Sequence, residues 1–159
     1  MSFIHIPSPI GRIEIVSDGA AVTRLSIERD GRLPHDGQEP SSDAVLEQAA
    51  RELEEYFRGE RMDFEVPVSL AGTPFQRAVW ERIIEIPAGT AVTYGRIGVD
   101  TGVGSVGRAI GGAVGANPIP IIVPCHRVLA SDGRITGYSG GEGIATKAWL
   151  LDHEGVPHR

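Results

Sequence analysis

The chain has 159 residues, 41% of them hydrophobic, with a net charge of −6 and a mean hydropathy of −0.06. This suits one medium domain or two small packed ones with a real core. No apolar run is long enough to cross a bilayer, and the N-terminal residues lack the charged-then-apolar layout of a signal peptide. A single cysteine excludes an internal disulfide and, with 5 scattered histidines, a Cys-rich zinc site. A soluble protein of a reducing cytoplasm, without metal or cofactor, is the expectation.

The acid is unevenly spread. Residues 1–71 carry 7 Lys/Arg against 14 Asp/Glu, and residues 72–159 carry 8 against 7. Any nucleic-acid contact therefore belongs to the second half, and it should be modest and salt-sensitive.

Residues 3–28 read as β structure. Phe3, Ile4 and Ile6 lead into the turn composition Ser8-Pro-Ile-Gly11, and Ile13 and Ile15 then alternate with Arg12 and Glu14. Asp18-Gly19 marks a second turn, after which Val22, Leu25 and Ile27 resume an apolar pattern. Residues 29–42 have loop composition. From Asp43 the period becomes helical, with Val45, Leu46, Ala49, Ala50, Leu53, Tyr56 and Phe57 on one stripe and Gly59 as a stop. Phe64, Val66 and Val68 predict one more short strand. The acidic run Glu52–Glu55 reads as a solvated helix face. No convergent catalytic set is visible here, so the first half is read as a scaffold.

Thr73-Pro-Phe-Gln76 predicts a clean helix start: a Thr N-cap, Pro at the first helical position and a Thr-x-x-Gln capping box. Phe75, Val79, Trp80, Ile83 and Ile84 supply its core stripe, and Ile86-Pro-Ala-Gly-Thr90 ends it. A short helix starts at Thr93-Tyr94, Gly102-Val-Gly104 breaks the chain, and Ser105 caps a further helix running to about Ala116. Two short helices around a tight glycine-containing turn describe a helix-turn-helix. The second of them holds four glycines, each costing about 1 kcal/mol of helix propensity relative to alanine. A face reduced to Gly and Ala can approach another backbone closely, whether a phosphodiester or a neighbouring protein helix, and Arg108 is its one long side chain.

Cys125 follows the apolar run Ile121-Ile-Val-Pro124 and precedes His126 and Arg127. An imidazole and a guanidinium beside a thiol are the surroundings that lower its pKa and yield a nucleophilic thiolate. A buried structural cysteine is the alternative.

Taken together, Thr73-Pro-Phe-Gln76, Val79-Trp80, Ile86-Pro87, Tyr94-Gly95, Arg108-Ala-Ile-Gly111, Asn117-Pro118, Pro124-Cys-His-Arg-Val128, Gly137-Tyr-Ser-Gly-Gly141 and Leu150-Leu-Asp-His-Glu-Gly155 occur in an order that resembles the O6-alkylguanine-DNA alkyltransferases. The likeness covers roughly residues 72–155. It implies an α+β fold with two parts. A small N-terminal antiparallel β-sheet domain with a helix (1–71) precedes a mainly helical C-terminal domain (72–159) containing a winged helix-turn-helix.

The resemblance further implies direct DNA repair. An alkyl group on O6 of guanine, or O4 of thymine, passes irreversibly to Cys125 from a base flipped out of the duplex. His126 deprotonates the thiol through a water and Glu154 holds the imidazole. His153 beside it faces solvent or core. Tyr94 donates to the base, Ser139 lies near the alkylated oxygen, Tyr138 walls the pocket, and Val128 offers its backbone to the base edge. Asn117 ties the helix-turn-helix to the cysteine turn.

Arg108 enters the stack in place of the flipped base. Ser105, Ala109, Gly111 and Arg127 join it at the DNA, with the Gly/Ala helix in the minor groove. The expected partner is double-stranded DNA carrying the lesion, bound by a monomer and with no membrane. Gly98 and Gly107 depart from the alanines of relatives, and the Gly140–Lys147 stretch is longer than in some of them. Two other functions are compatible with parts of this pattern. One is a non-catalytic lesion sensor, which would lack the reactive cysteine. The other is a Cys-His hydrolase, which would need an oxyanion hole that the sequence does not signal.

Overall fold

The structure is a computed structural model, and residues 1–102 and 107–159 are described. Three antiparallel strands, β1 (Ser2–Ile6), β2 (Ile13–Ser17) and β3 (Val22–Ile27), form one sheet in that order. Helix α1 (Ala44–Phe57) packs Leu46, Ala49, Leu53 and Tyr56 against it. Asp43 starts the helix by accepting the Leu46 amide, 2.8 Å.

Two expectations for this half are corrected, and one buried acid was not anticipated. Glu14 on β2 is fully buried. The 29–42 loop folds over it, so that His5 Nε2 and both the amide and Nδ1 of His35 donate to its carboxylate. Glu52 is likewise buried, accepting the backbone amides of Glu65 and Val66 and the Gln48 amide, so the acidic run is not simply a solvated face. The Phe64–Val68 segment makes only an isolated bridge, through Val22 N–H to Pro67 O and Ser69 N–H to Val22 O. Pro67 lacks the N–H that would extend a ladder.

In the second half, α2 (Pro74–Ile84) has the predicted capping box, with Thr73 and Gln76 bonded reciprocally. Val79, Trp80 and Ile83 enter the core, whereas Ile84, expected on the same stripe, is 45% exposed. A short β4 (Val92–Thr93) precedes α3 (Tyr94–Asp100), whose N-cap is Thr93. Helix α4 (Gly107–Gly115) follows, and the expected cap Ser105 lies outside the described residues. Trp80 Nε1 donates to Ala113 O at 2.8 Å, fixing α4 on α2. After α4 the chain makes a single 3-10 turn, Cys125–Arg127. It then forms β5 (Val128–Leu129), parallel to β4, and α5 (Ile144–His153). The α+β layout is as expected, a small antiparallel sheet with a helix followed by a mainly helical half, and the turn expected between α3 and α4 lies outside the described residues.

The halves are stitched together near the cysteine. Leu25 N–H donates to Pro118 O, and Asp30 N–H donates to Glu142. Tyr56 spans 98 positions of sequence to reach Glu154. No helix among the described residues is long and apolar enough to cross a membrane.

Candidate active site

The turn that delivers Cys125 is held open against its own preference. Ile121 has φ 75, a conformation that a β-branched residue adopts only under strain. Asn117 supplies the brace: its Nδ2 donates to Val123 O at 2.8 Å and its Oδ1 accepts from Ile119 N at 2.9 Å, both buried. Asn117 thereby joins the end of α4 to the cysteine turn, as its expected positioning part requires.

Cys125 is 3% exposed and opens onto a cavity of about 460 Å³. That size suits a small ligand. Tyr94, Gly111, Thr136, Tyr138, Ser139 and Lys147 line it with the sulfur. Burial raises the thiol pKa, opposed by Asn117, Lys147 and Tyr138. The resting group is therefore a thiol, which corrects the thiolate expected from its neighbours in sequence. The reason is directional: His126 and Arg127 follow Cys125 in the chain, but both side chains turn toward Glu154.

The Glu154 side chain is a fully buried hub. His126 Nε2–H and the Tyr56 hydroxyl each donate to Oε2 at 2.7 Å, while Arg127 donates Nε–H to Oε1 at 2.7 Å and an Nη to Oε2 at 3.0 Å. Burial alone would raise the carboxyl pKa, but the hydrogen bonds from His126, Arg127 and Tyr56 hold it well below the usual carboxylate range. Because Nε2 must carry the proton facing a carboxylate, the His126 lone pair sits on Nδ1. That atom is buried with no hydrogen-bond partner among the described residues. Burial also lowers the His126 pKa, leaving a neutral imidazole, while Arg127 supplies the charge that balances Glu154. Glu154 thus fixes the His126 ring from behind, with Nδ1 left unbonded among the described residues.

Arg127 is 4% exposed and also donates to Ile86 O at 2.7 Å, so its expected role in contacting DNA is overturned: the carboxylate takes the guanidinium inward. Val128 is buried, and its carbonyl accepts from Lys147 Nζ at 2.7 Å. Tyr94 lines the cavity, its hydroxyl accepting from Thr136 Oγ1 at 3.3 Å. The Tyr138 hydroxyl is buried without a hydrogen-bond partner among the described residues. Ser139 Oγ donates to Gly115 O at 2.9 Å, linking the cavity wall to α4. His153 stacks on Trp149 and its Nε2 donates to Tyr56 O, outside the relay.

Arg108 and Ala109 are exposed on α4, with Gly111 at the cavity rim. The α4 glycines are not explained by packing within the protein. A Cβ added at Gly107, Gly111, Gly112 or Gly115 would meet no described atom within 4 Å. The neighbouring-helix alternative therefore fails, and the smooth face looks outward.

Two residues escaped the sequence. Tyr56 belongs to the apolar stripe of α1 by its spacing, and only the fold brings its hydroxyl to Glu154. Lys147 carried no motif of its own. Its burial lowers its pKa to about 8, with Nζ donating to Val128 O and Gly137 O beside the thiol. Among the described residues no group of three or more His, Cys, Asp or Glu side chains could hold a metal ion.

Comparison with known proteins is consistent along the whole chain. Family models for the 6-O-methylguanine DNA methyltransferase ribonuclease-like domain and DNA-binding domain match residues 1–70 and 74–156. A methylated-DNA–protein-cysteine methyltransferase of Haemophilus influenzae is 38% identical over 158 residues, covering 98% of this chain and 87% of the relative. That of Mycobacterium tuberculosis is 39% identical over 149 residues, covering 94% and 89%. The crystal structure of Mycobacterium tuberculosis OGT in complex with DNA superposes with a TM-score of 0.87 at 38% identity, covering 99% of this chain and 96% of that one. With a lone thiol, an oriented imidazole and a smooth outward helix in this framework, the chain belongs to the 6-O-methylguanine DNA methyltransferase family.

Proposed function

We propose that this protein repairs DNA by moving the alkyl group of O6-alkylguanine, and of O4-alkylthymine, onto its own Cys125, once per molecule. The observation that carries this reading is the cavity: it holds a buried neutral thiol on a braced turn, with His126 oriented by Glu154 to leave Nδ1 free.

The base enters the cavity and stands against Tyr94, Tyr138 and Ser139, with the Val128 backbone at its edge. The thiol proton passes to His126 Nδ1 through a water. The sulfur then attacks the alkyl carbon, the S–C bond forms as the C–O6 bond breaks, and the electron pair leaves on the guanine oxygen. The Tyr94 hydroxyl donates to the base as that charge develops, and Lys147 lies close enough to Cys125 to favour the anion. Glu154 stays ionised throughout and steadies the imidazolium. The product thioether has no leaving group to return, so the reaction ends there.

Helix α4 lies in the minor groove, where its bare face permits close approach, and Arg108 fills the gap left by the extruded base. Readout at such a surface is shallow, which suits a search for damage at any sequence. In this reading residues 1–71 brace the relay and residues 72–159 carry the chemistry, in a cytoplasmic monomer.

The test is stoichiometric. With excess duplex carrying a methyl-labelled O6-methylguanine, one label per protein molecule should move and unmodified guanine should appear in the DNA. Unchanged duplex, or label released to solution over many turnovers, refutes the proposal.

A further inference from the structure

A second cleft, of about 900 Å³, lies between the sheet and the Ser139–Gly141 loop and does not include Cys125. It shares Gly115 and Ser139 with the cysteine cavity as a common wall. Three arginines of the first half line it, Arg24, Arg29 and Arg32, against one carboxylate, Asp30.

This concentration runs against the composition. The first half has 7 basic residues and 14 acidic ones. Arg12, Arg58 and Arg61 are spent on carboxylates. The side chains of Arg24, Arg29 and Arg32 are exposed and make no ion pair among the described residues. Arg29 and Arg32 also face one another directly. Their backbones exchange hydrogen bonds of 3.1 and 3.0 Å across a tight turn, with Asp30 at φ 53 and Gly31 at φ 73. That is a type I′ hairpin turn, and like charges directly opposite in such a pair repel. A bound anion removes the repulsion. The tip of this turn is tied to the active-site loop through Asp30 N–H and Glu142 Oε1, 3.0 Å.

Building on the DNA-repair function above, we propose that this cleft is a subsite for the phosphodiester backbone of the lesion-bearing DNA. The exposed face of α4 runs from Arg108 to Gly115 and Ala116, and both of the latter line the cleft, so the DNA-facing surface continues into it. Seven residues of helix span about 10 Å, or about three nucleotide steps of one strand. The duplex is thus held on both sides of the cavity mouth, by Arg108 in the stack and by the arginine cleft on a flanking phosphate. The acidic first half becomes part of the DNA-binding surface.

The experiment compares the full chain with two triple variants, Arg24→Ala/Arg29→Ala/Arg32→Ala and Arg24→Lys/Arg29→Lys/Arg32→Lys. Duplex affinity is measured across a salt series, and alkyl transfer is measured from O6-benzylguanine as the free base, which has no phosphate. Loss of one phosphate contact should flatten the log K against log salt slope by about 0.9 and weaken binding about tenfold near 50 mM salt. The alanine variant should show that loss with an unchanged free-base rate, and the lysine variant should keep most of the affinity. Parental affinity and slope in the alanine variant overturn the proposal. Equal loss in the lysine variant, or a slowed free-base reaction, overturns it as well. If the parent transfers no methyl group from duplex O6-methylguanine, the repair function fails instead, and the salt slopes still report on the cleft.

Discussion

Replacing Glu154 with glutamine separates what the hub does for the fold from what it does for the chemistry. Four hydrogen bonds converge on two carboxylate oxygens, and Arg127 is 4% exposed with no other acid paired to it among the described residues. Glu154→Gln keeps the shape but leaves a buried guanidinium unbalanced. Breaking a buried pair from one side costs about 3–5 kcal/mol. At about 2–4 °C per kcal/mol for a chain of this size, Tm should fall by about 6–20 °C. Thermal unfolding followed by circular dichroism reads this directly.

The double variant Glu154→Gln/Arg127→Met removes both charges and should recover most of the stability, because neutral replacement of a buried pair is often tolerated. It should not recover alkyl transfer, since a neutral amide cannot balance the imidazolium formed when His126 takes the thiol proton. A single variant melting within about 1 kcal/mol of the parent would refute the reasoning, as would a double variant no more stable than the single one.

Other consequences follow from the same geometry. Glu154 has a depressed pKa, so its contribution to stability is complete above its unfolded value of 4.5 and is lost as pH falls below it; acid titration of unfolding should show this. The neutral thiol–imidazole pair predicts a single-turnover rate that is flat between the ordinary values of 6.5 for His126 and 9.0 for Cys125, because burial moves both pKa values outward. A rate climbing steeply through that window would mean that a pre-formed thiolate is the reactant. Asn117→Ala leaves the Val123 carbonyl and the Ile119 amide buried and unpaired, and should cost about 2–4 kcal/mol in chemical denaturation. Gly112→Ala, at an exposed position with nothing within 4 Å, should stabilise α4 by up to about 1 kcal/mol yet weaken duplex binding. Tighter or unchanged binding would detach the smooth face from DNA.

Local signals were legible wherever the residues that decide a feature are neighbours in sequence. The Thr73/Gln76 capping box and the α1 stripe depend on spacings of three and four, and the structure has both. The site was legible through a family likeness attached to short motifs, which brought out Cys125, His126, Asn117 and Glu154. What escaped depends on partners far away in the chain. Glu14 and Glu52 look solvated until the distant amides and imidazoles that satisfy them are in place. Arg127 looks like a DNA contact until the fold turns it onto Glu154. Tyr56 counts as one more apolar position until its hydroxyl crosses to the other half. Sequence adjacency to Cys125 was also a poor guide to its ionisation, because direction of the side chains and burial outweigh proximity along the backbone.

Peptide mapping after reaction with duplex O6-methylguanine tests the central claim most directly. The account predicts one added methyl group, on the sulfur of Cys125 alone, with Cys125→Ser protein remaining unmodified while still binding the duplex. A methyl group on any other side chain, or repair by the Cys125→Ser protein, would contradict it.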